Sequence, residues 1–105
     1  QMYRPRFTAK ITKITAFNDS LDLALLEVSN IPFDINALPI YSGSVNLENP
    51  IRVIGHPNGN EWNRVLGKIS NAVVNQNIIQ VAATLAEGSS GGPILDEENR
   101  VIGIV

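Results

Sequence analysis

Apolar residues along this chain recur at every second position or in short unbroken runs, and nowhere at the spacing of an amphipathic helix. Phe7, Ala9 and Ile11 alternate with Thr8, Lys10 and Thr12, after which the apolar phase slips to Ile14 and Ala16. A period of two describes a strand, and a one-residue slip describes a β-bulge, here near Thr12 and Lys13. Asp22 to Val28 is an apolar run of strand length, read as buried on both faces, entered through the turn-forming Asn18-Asp19-Ser20. Further strands are predicted near Ile51 to Gly55, Arg64 to Ala72 and Ile78 to Ala83, with Pro57-Asn58-Gly59-Asn60 turning between the first two. A hairpin from Ile94-Leu95 to Val101-Val105 follows, across the polar turn Asp96 to Arg100. Short strands at even spacing give an all-β chain, barrel or sandwich, rather than a parallel α/β sheet.

Ser29 to Pro50 interrupts the pattern with Pro32, Pro39, Pro50, Gly43 and several Asn and Ser residues, so it reads as a connection with little regular structure. The chain has 105 residues, 44% of them hydrophobic, enough for one small domain and too few for two independent barrel cores.

Gly88-Ser89-Ser90-Gly91-Gly92-Pro93 carries the chemistry. Glycines around a serine let the backbone turn sharply, present one hydroxyl and direct successive N–H groups at one point. Acyl transfer requires that arrangement, because the oxyanion of a tetrahedral intermediate must meet fixed donors about 3 Å away. Ser90, rather than Ser89, has glycine two positions before it and two glycines after it. The bland alternative is a tight glycine-rich entrance to a hairpin.

Gly88 to Pro93, with Ile94-Leu95 and Val101-Ile102-Gly103-Ile104, resembles the nucleophile region of trypsin-like, chymotrypsin-fold serine peptidases, most closely the bacterial HtrA-like and glutamyl-endopeptidase-like branches. Asp22-Leu23-Ala24-Leu25-Leu26 is similar to the segment carrying the triad aspartate of that family. Val53-Ile54-Gly55-His56-Pro57 and Val65-Leu66-Gly67-Lys68-Ile69-Ser70 are similar to the opening strands of its second barrel. The resemblance implies a portion of a double β-barrel. Residues 1–38 would be the last strands of barrel one, 39–50 the inter-barrel linker, and 51–105 most of barrel two with the nucleophile loop.

The same resemblance implies a serine endopeptidase acting on polypeptides through a serine nucleophile and a His-Asp relay. Ser90 would be the nucleophile, the backbone N–H groups of Gly88 and Ser90 the oxyanion hole, and Asp22 the aspartate, with Asp19 as a competing carboxylate. Counting back from Ser90 puts Thr84, a neutral residue, at the base of the primary specificity pocket. The family's histidine precedes its aspartate, whereas the residues before Asp22 include none. The chain therefore reads as a truncated peptidase domain, inactive alone and lacking the histidine region, a final strand and a terminal helix. The second reading is a peptidase-like module that binds or regulates without hydrolysis. The sole histidine, His56, would give the subtilisin-like order Asp, His, Ser, but the glycines around Ser90 match the trypsin-like pattern. His56 reads instead as a structural or surface residue of barrel two, away from the interbarrel cleft.

A net charge of −2 argues against a nucleic-acid surface, and Arg4, Arg6, Lys10 and Lys13 read as the solvated face of a strand. No apolar run reaches the roughly 20 residues needed to span a bilayer. With no cysteine, one histidine and no spaced acidic ligand loop, neither a metal nor a cofactor is expected. Missing barrel strands would leave open edges and bare apolar surface, so self-association or strand exchange is expected.

Overall fold

In a computed structural model the described residues are 7–16, 21–56, 63–73, 78–84 and 88–105. They form seven strands and no helix, and the chain is all-β. Asp19, Arg4, Arg6 and the turn residues 57–60 lie outside the described residues.

The chain divides into two compact units, residues 1–37 and 38–105. In the first, β1 (Ala9–Ile14) and β2 (Ala24–Val28) pair antiparallel. The register shifts between Ile11 and Lys13, which leaves Thr12 as the bulge that the slipped apolar phase predicts. Its hydroxyl donates to the Leu25 carbonyl at 3.2 Å. At the open end, the Thr15 N–H donates to the Leu23 carbonyl at 3.0 Å and the Leu23 N–H to the Thr15 hydroxyl at 3.1 Å. Every residue of both strands is exposed, so the expected burial of β2 on both faces does not hold. A two-stranded ribbon has no second layer of its own, and Ile11, Ile14, Leu25 and Leu26 all meet solvent.

The second unit is a five-stranded antiparallel sheet in the order β5-β4-β3-β6-β7, formed by β3 (Pro50–Gly55), β4 (Asn63–Val73), β5 (Ile78–Ala82), β6 (Pro93–Leu95) and β7 (Val101–Ile104). Alternation decides what faces inward: Ile51 and Val53 of β3, Ile69 of β4 and Ile94 of β6 are buried, and Val65, Ile79, Val81 and Ile102 pack around them. The register of β4 against β5 shifts between Ile69 and Asn71. Close approach is possible there because Gly67 has no side chain; a Cβ on it would lie 2.5 Å from the Ala82 carbonyl oxygen.

Residues 38–49 contain only a single-residue bridge, Ile40 to Val101, yet are fastened to this sheet by main-chain bonds. Tyr41 N–H donates to Val101 C=O at 3.0 Å, Glu48 N–H to Ile69 C=O at 2.8 Å, and Ile69 N–H to Asn49 C=O at 3.0 Å.

The turn between β6 and β7 is organised by Asp96. Its carboxylate accepts from the Glu98 and Arg100 N–H groups, both at 2.9 Å, and from Arg100 Nε at 2.7 Å. Burial pushes that carboxyl up, but the Arg100 N–H and guanidinium and the Glu98 N–H outweigh it and hold the group below its ordinary range. Asn99 takes φ +60°, a left-handed conformation asparagine tolerates better than most residues. Arg100 lies 4.2 Å from the Tyr41 ring centroid, and Arg52 reaches across to the Asp96 carbonyl at 3.2 Å and to the Asn99 side chain.

Candidate functional site

The segment entering β6 folds as the glycine pattern demands. Gly92 N–H donates to the Ser89 carbonyl at 3.0 Å, closing a four-residue turn with Ser90 and Gly91 at its corners. Gly91 has φ +84°, the value that the third position of a type II turn needs and that a side chain resists. The turn is clipped to the end of β7: Gly91 N–H donates to Val105 C=O at 2.9 Å, and Val105 N–H to Gly92 C=O at 3.0 Å. Gly88, just before the turn, also has positive φ, +98°.

The two serines therefore differ sharply. Ser89 is 2% exposed, whereas Ser90 stands exposed at the corner. Because the Ser89 carbonyl is taken by Gly92, the Ser90 N–H, which points the opposite way across the planar peptide, is directed out of the turn. It meets no acceptor among the described residues. An exposed serine with an uncommitted N–H is the local chemistry acyl transfer uses.

Ser90 borders an open hollow of about 350 Å³, lined also by Ile54, Gly55, His56, Gly88 and Pro93. His56 is thus next to the turn, nearer than its place in the sequence suggests. The reason is topological: β3 pairs with β6, so the far end of β3 must lie beside the residues that lead into β6. The contact runs through the main chain, His56 N–H donating to Gly88 C=O at 3.1 Å. No hydrogen bond joins the imidazole to the Ser90 hydroxyl among the described residues.

Asp22 belongs to the other unit, exposed just before β2 beside the Thr15–Leu23 pair of hydrogen bonds. Thr84 is exposed just beyond β5, the edge strand, and is not among the residues lining the hollow. Among the described residues no three His, Cys, Asp or Glu side chains converge as metal ligands would.

The packing adds one residue that sequence reasoning passed over. Gly55 lies so close to Ser89 that a Cβ on it would sit 3.0 Å from the Ser89 Cα. Only the pairing of β3 with β6 brings them together, and the sequence offers no sign of it beyond a glycine ending a strand.

Comparison with known proteins gives a consistent account. A family model described as trypsin-like peptidase domain matches residues 4–104. Among solved structures, the active form of the Rv3671c protease from M. tuberculosis superposes with a TM-score of 0.75 at 22% identity, over 94% of this chain and 47% of that one. Its inactive form gives 0.71 at 22% identity, over 89% and 52%. A serine-to-alanine mutant of Rv3671c in the inactive form gives 0.75 at 21% identity, over 94% and 52%. The chain thus spans about half the length of these structures.

Proposed function

Because the chain belongs to the trypsin-like peptidase domain family, we propose that it carries the nucleophile half of a serine endopeptidase, with Ser90 attacking the peptide carbonyl of a polypeptide substrate. The observation that supports this most is the exposed Ser90 at the corner of a turn whose own N–H is uncommitted, beside Gly88 at positive φ. In this reading the Ser90 and Gly88 N–H groups receive the oxyanion. Asp22 orients and charges a histidine that relays the serine proton. Residues 1–38 are the end of the first barrel, 39–50 the linker, and 51–105 most of the second. Thr84 at the base of the specificity pocket offers no counter-ion to a Lys or Arg side chain.

The relay needs a histidine other than His56, the single one in these 105 residues. A serine hydroxyl without a base is a weak nucleophile, and loss of a triad member costs on the order of 10⁴- to 10⁶-fold in rate. The 105-residue chain alone is accordingly inactive in this account, and the full-length protein supplies the base.

Fluorophosphonate labelling with mass-spectrometric site assignment tests the proposal. In the full-length protein the label is expected on Ser90 and absent in Ser90→Ala, while His56→Ala slows labelling by less than ~10-fold, far short of the loss a missing base causes. The isolated chain is expected to remain unlabelled. Labelling of the isolated chain that disappears in His56→Ala would instead make His56 the base. An unlabelled full-length protein would favour a binding or regulatory module.

A further inference from the structure

We infer that Gly55 is a positioning residue for the oxyanion donors: the bare backbone at the end of β3 seats the Gly88–Ser89 peptide and thereby aims the turn that carries Ser90. The inference rests on the peptidase reading of Ser90 and concerns how that site is held.

The seat has two sides. On one, His56 N–H holds the Gly88 carbonyl at 3.1 Å. On the other, the Gly55 Cα faces Ser89 so closely that an added Cβ would stand 3.0 Å from the Ser89 Cα and 3.4 Å from both its Cβ and Oγ. Ser89 cannot retreat freely, because it is buried and its carbonyl is tied to Gly92 N–H at 3.0 Å. Two successive carbonyls, of Gly88 and Ser89, are thus committed to fixed partners. A peptide is planar, so fixing the Ser89 carbonyl fixes the direction of the Ser90 N–H. Fixing the Gly88 carbonyl anchors the residue that contributes the second donor.

A methyl at position 55 removes none of these partners. It forces Ser89 to move by a few tenths of an ångström, and the displacement passes along the turn to the Ser90 N–H. Ile51 and Val53, four and two residues earlier on the same inward face of β3, stay packed in the core and keep the strand in place. The effect should therefore fall on chemistry more than on folding or probe binding. Loss of one oxyanion donor costs about 10²- to 10³-fold, so a misaimed donor should cost ~10- to 100-fold.

The experiment uses a fluorophosphonate on the full-length protein and separates its maximal inactivation rate from its half-saturation concentration. Gly55→Ala is expected to lower the rate ~10- to 100-fold while the half-saturation concentration stays within about twofold. Hydrogen exchange of the His56 amide, slowed in the parent by the Gly88 carbonyl, should accelerate at least ~10-fold in the variant. An inactivation rate within twofold of the parent, or an unaltered His56 exchange rate, would each overturn the inference. An unlabelled parent refutes the peptidase reading instead, and the exchange measurement then still decides whether Gly55 seats the turn.

Discussion

Ile69→Ala should remove much of the stability of residues 38–105. Ile69 is 1% exposed and lies on β4 among Ile51, Val53 and Ile94. The substitution deletes three buried carbons, worth about 2.4 kcal/mol at ~0.8 kcal/mol each. The cavity left behind adds to this, because a β-sheet core collapses only partly around a missing side chain, giving ~3 to 4 kcal/mol. A small domain with five buried apolar residues among those described sits near the low end of the ~5 to 15 kcal/mol range, so the loss approaches the whole margin. Equilibrium urea unfolding measures it; with a slope of ~1 to 2 kcal/mol/M the midpoint should fall by ~1.5 M or more. Leu66 supplies the internal control, since it lies on the same strand but is 69% exposed, and Leu66→Ala should change stability by less than ~0.5 kcal/mol. A loss below ~1 kcal/mol for Ile69→Ala, or equal losses for the two variants, would refute the assignment of the inward face of β4.

Gly91→Ala should destabilise by ~1 to 2 kcal/mol in the same assay, from φ alone, because nothing lies within 4 Å of an added Cβ; no measurable cost would disprove the left-handed turn. Asp96 is expected to lose its grip on the β6–β7 turn in acid. Its folded pKa is lowered, so its stabilisation is complete above the unfolded value of about 3.9 and disappears as pH falls through the folded value; the protection factors of the Glu98 and Arg100 amides, taken relative to their intrinsic exchange rates, should fall on acidification below that unfolded value, and protection that does not change with pH would contradict it. The bare apolar face of β1 and β2 should make the 105-residue chain self-associate, read as a sedimentation coefficient rising with concentration. A monomer at high concentration with cooperative unfolding would count against this.

Much of the strand pattern was legible because each strand is short, alternating and bounded by turn residues. Ile51 to Gly55 and Ile78 to Ala83 were located to within a residue or so, and the phase slip after Ile11 located the bulge at Thr12. These are local properties, encoded within a few residues of where they act. Burial of β2 was not legible, since Leu25 and Leu26 look the same in a sequence whether or not a second layer covers them. The proximity of His56 to the Ser90 turn was equally hidden, because it follows from β3 pairing with β6 across the intervening β4 and β5. The conspicuous glycines of the turn announced themselves by clustering; Gly55, isolated at a strand end, did not.

The glycines also explain how one exposed serine can be held firmly without being touched. Side chains that hold a position occupy space around it, and a nucleophile needs that space for substrate. Here the restraint is carried by backbone groups: the Gly92, Gly91 and Val105 N–H groups, the His56 N–H, and the bare Cα of Gly55. None of them depends on the Ser90 side chain, so the hydroxyl is free of structural duty. It follows that Ser90→Ala should leave stability within about 0.5 kcal/mol of the parent while abolishing labelling. Gly92→Ala should do the reverse of a benign change, because its Cβ would collide with the Ile54 carbonyl and displace the turn from β3. A Ser90→Ala variant as unstable as Gly92→Ala would mean that the serine holds the turn, and the backbone account of the site would fail.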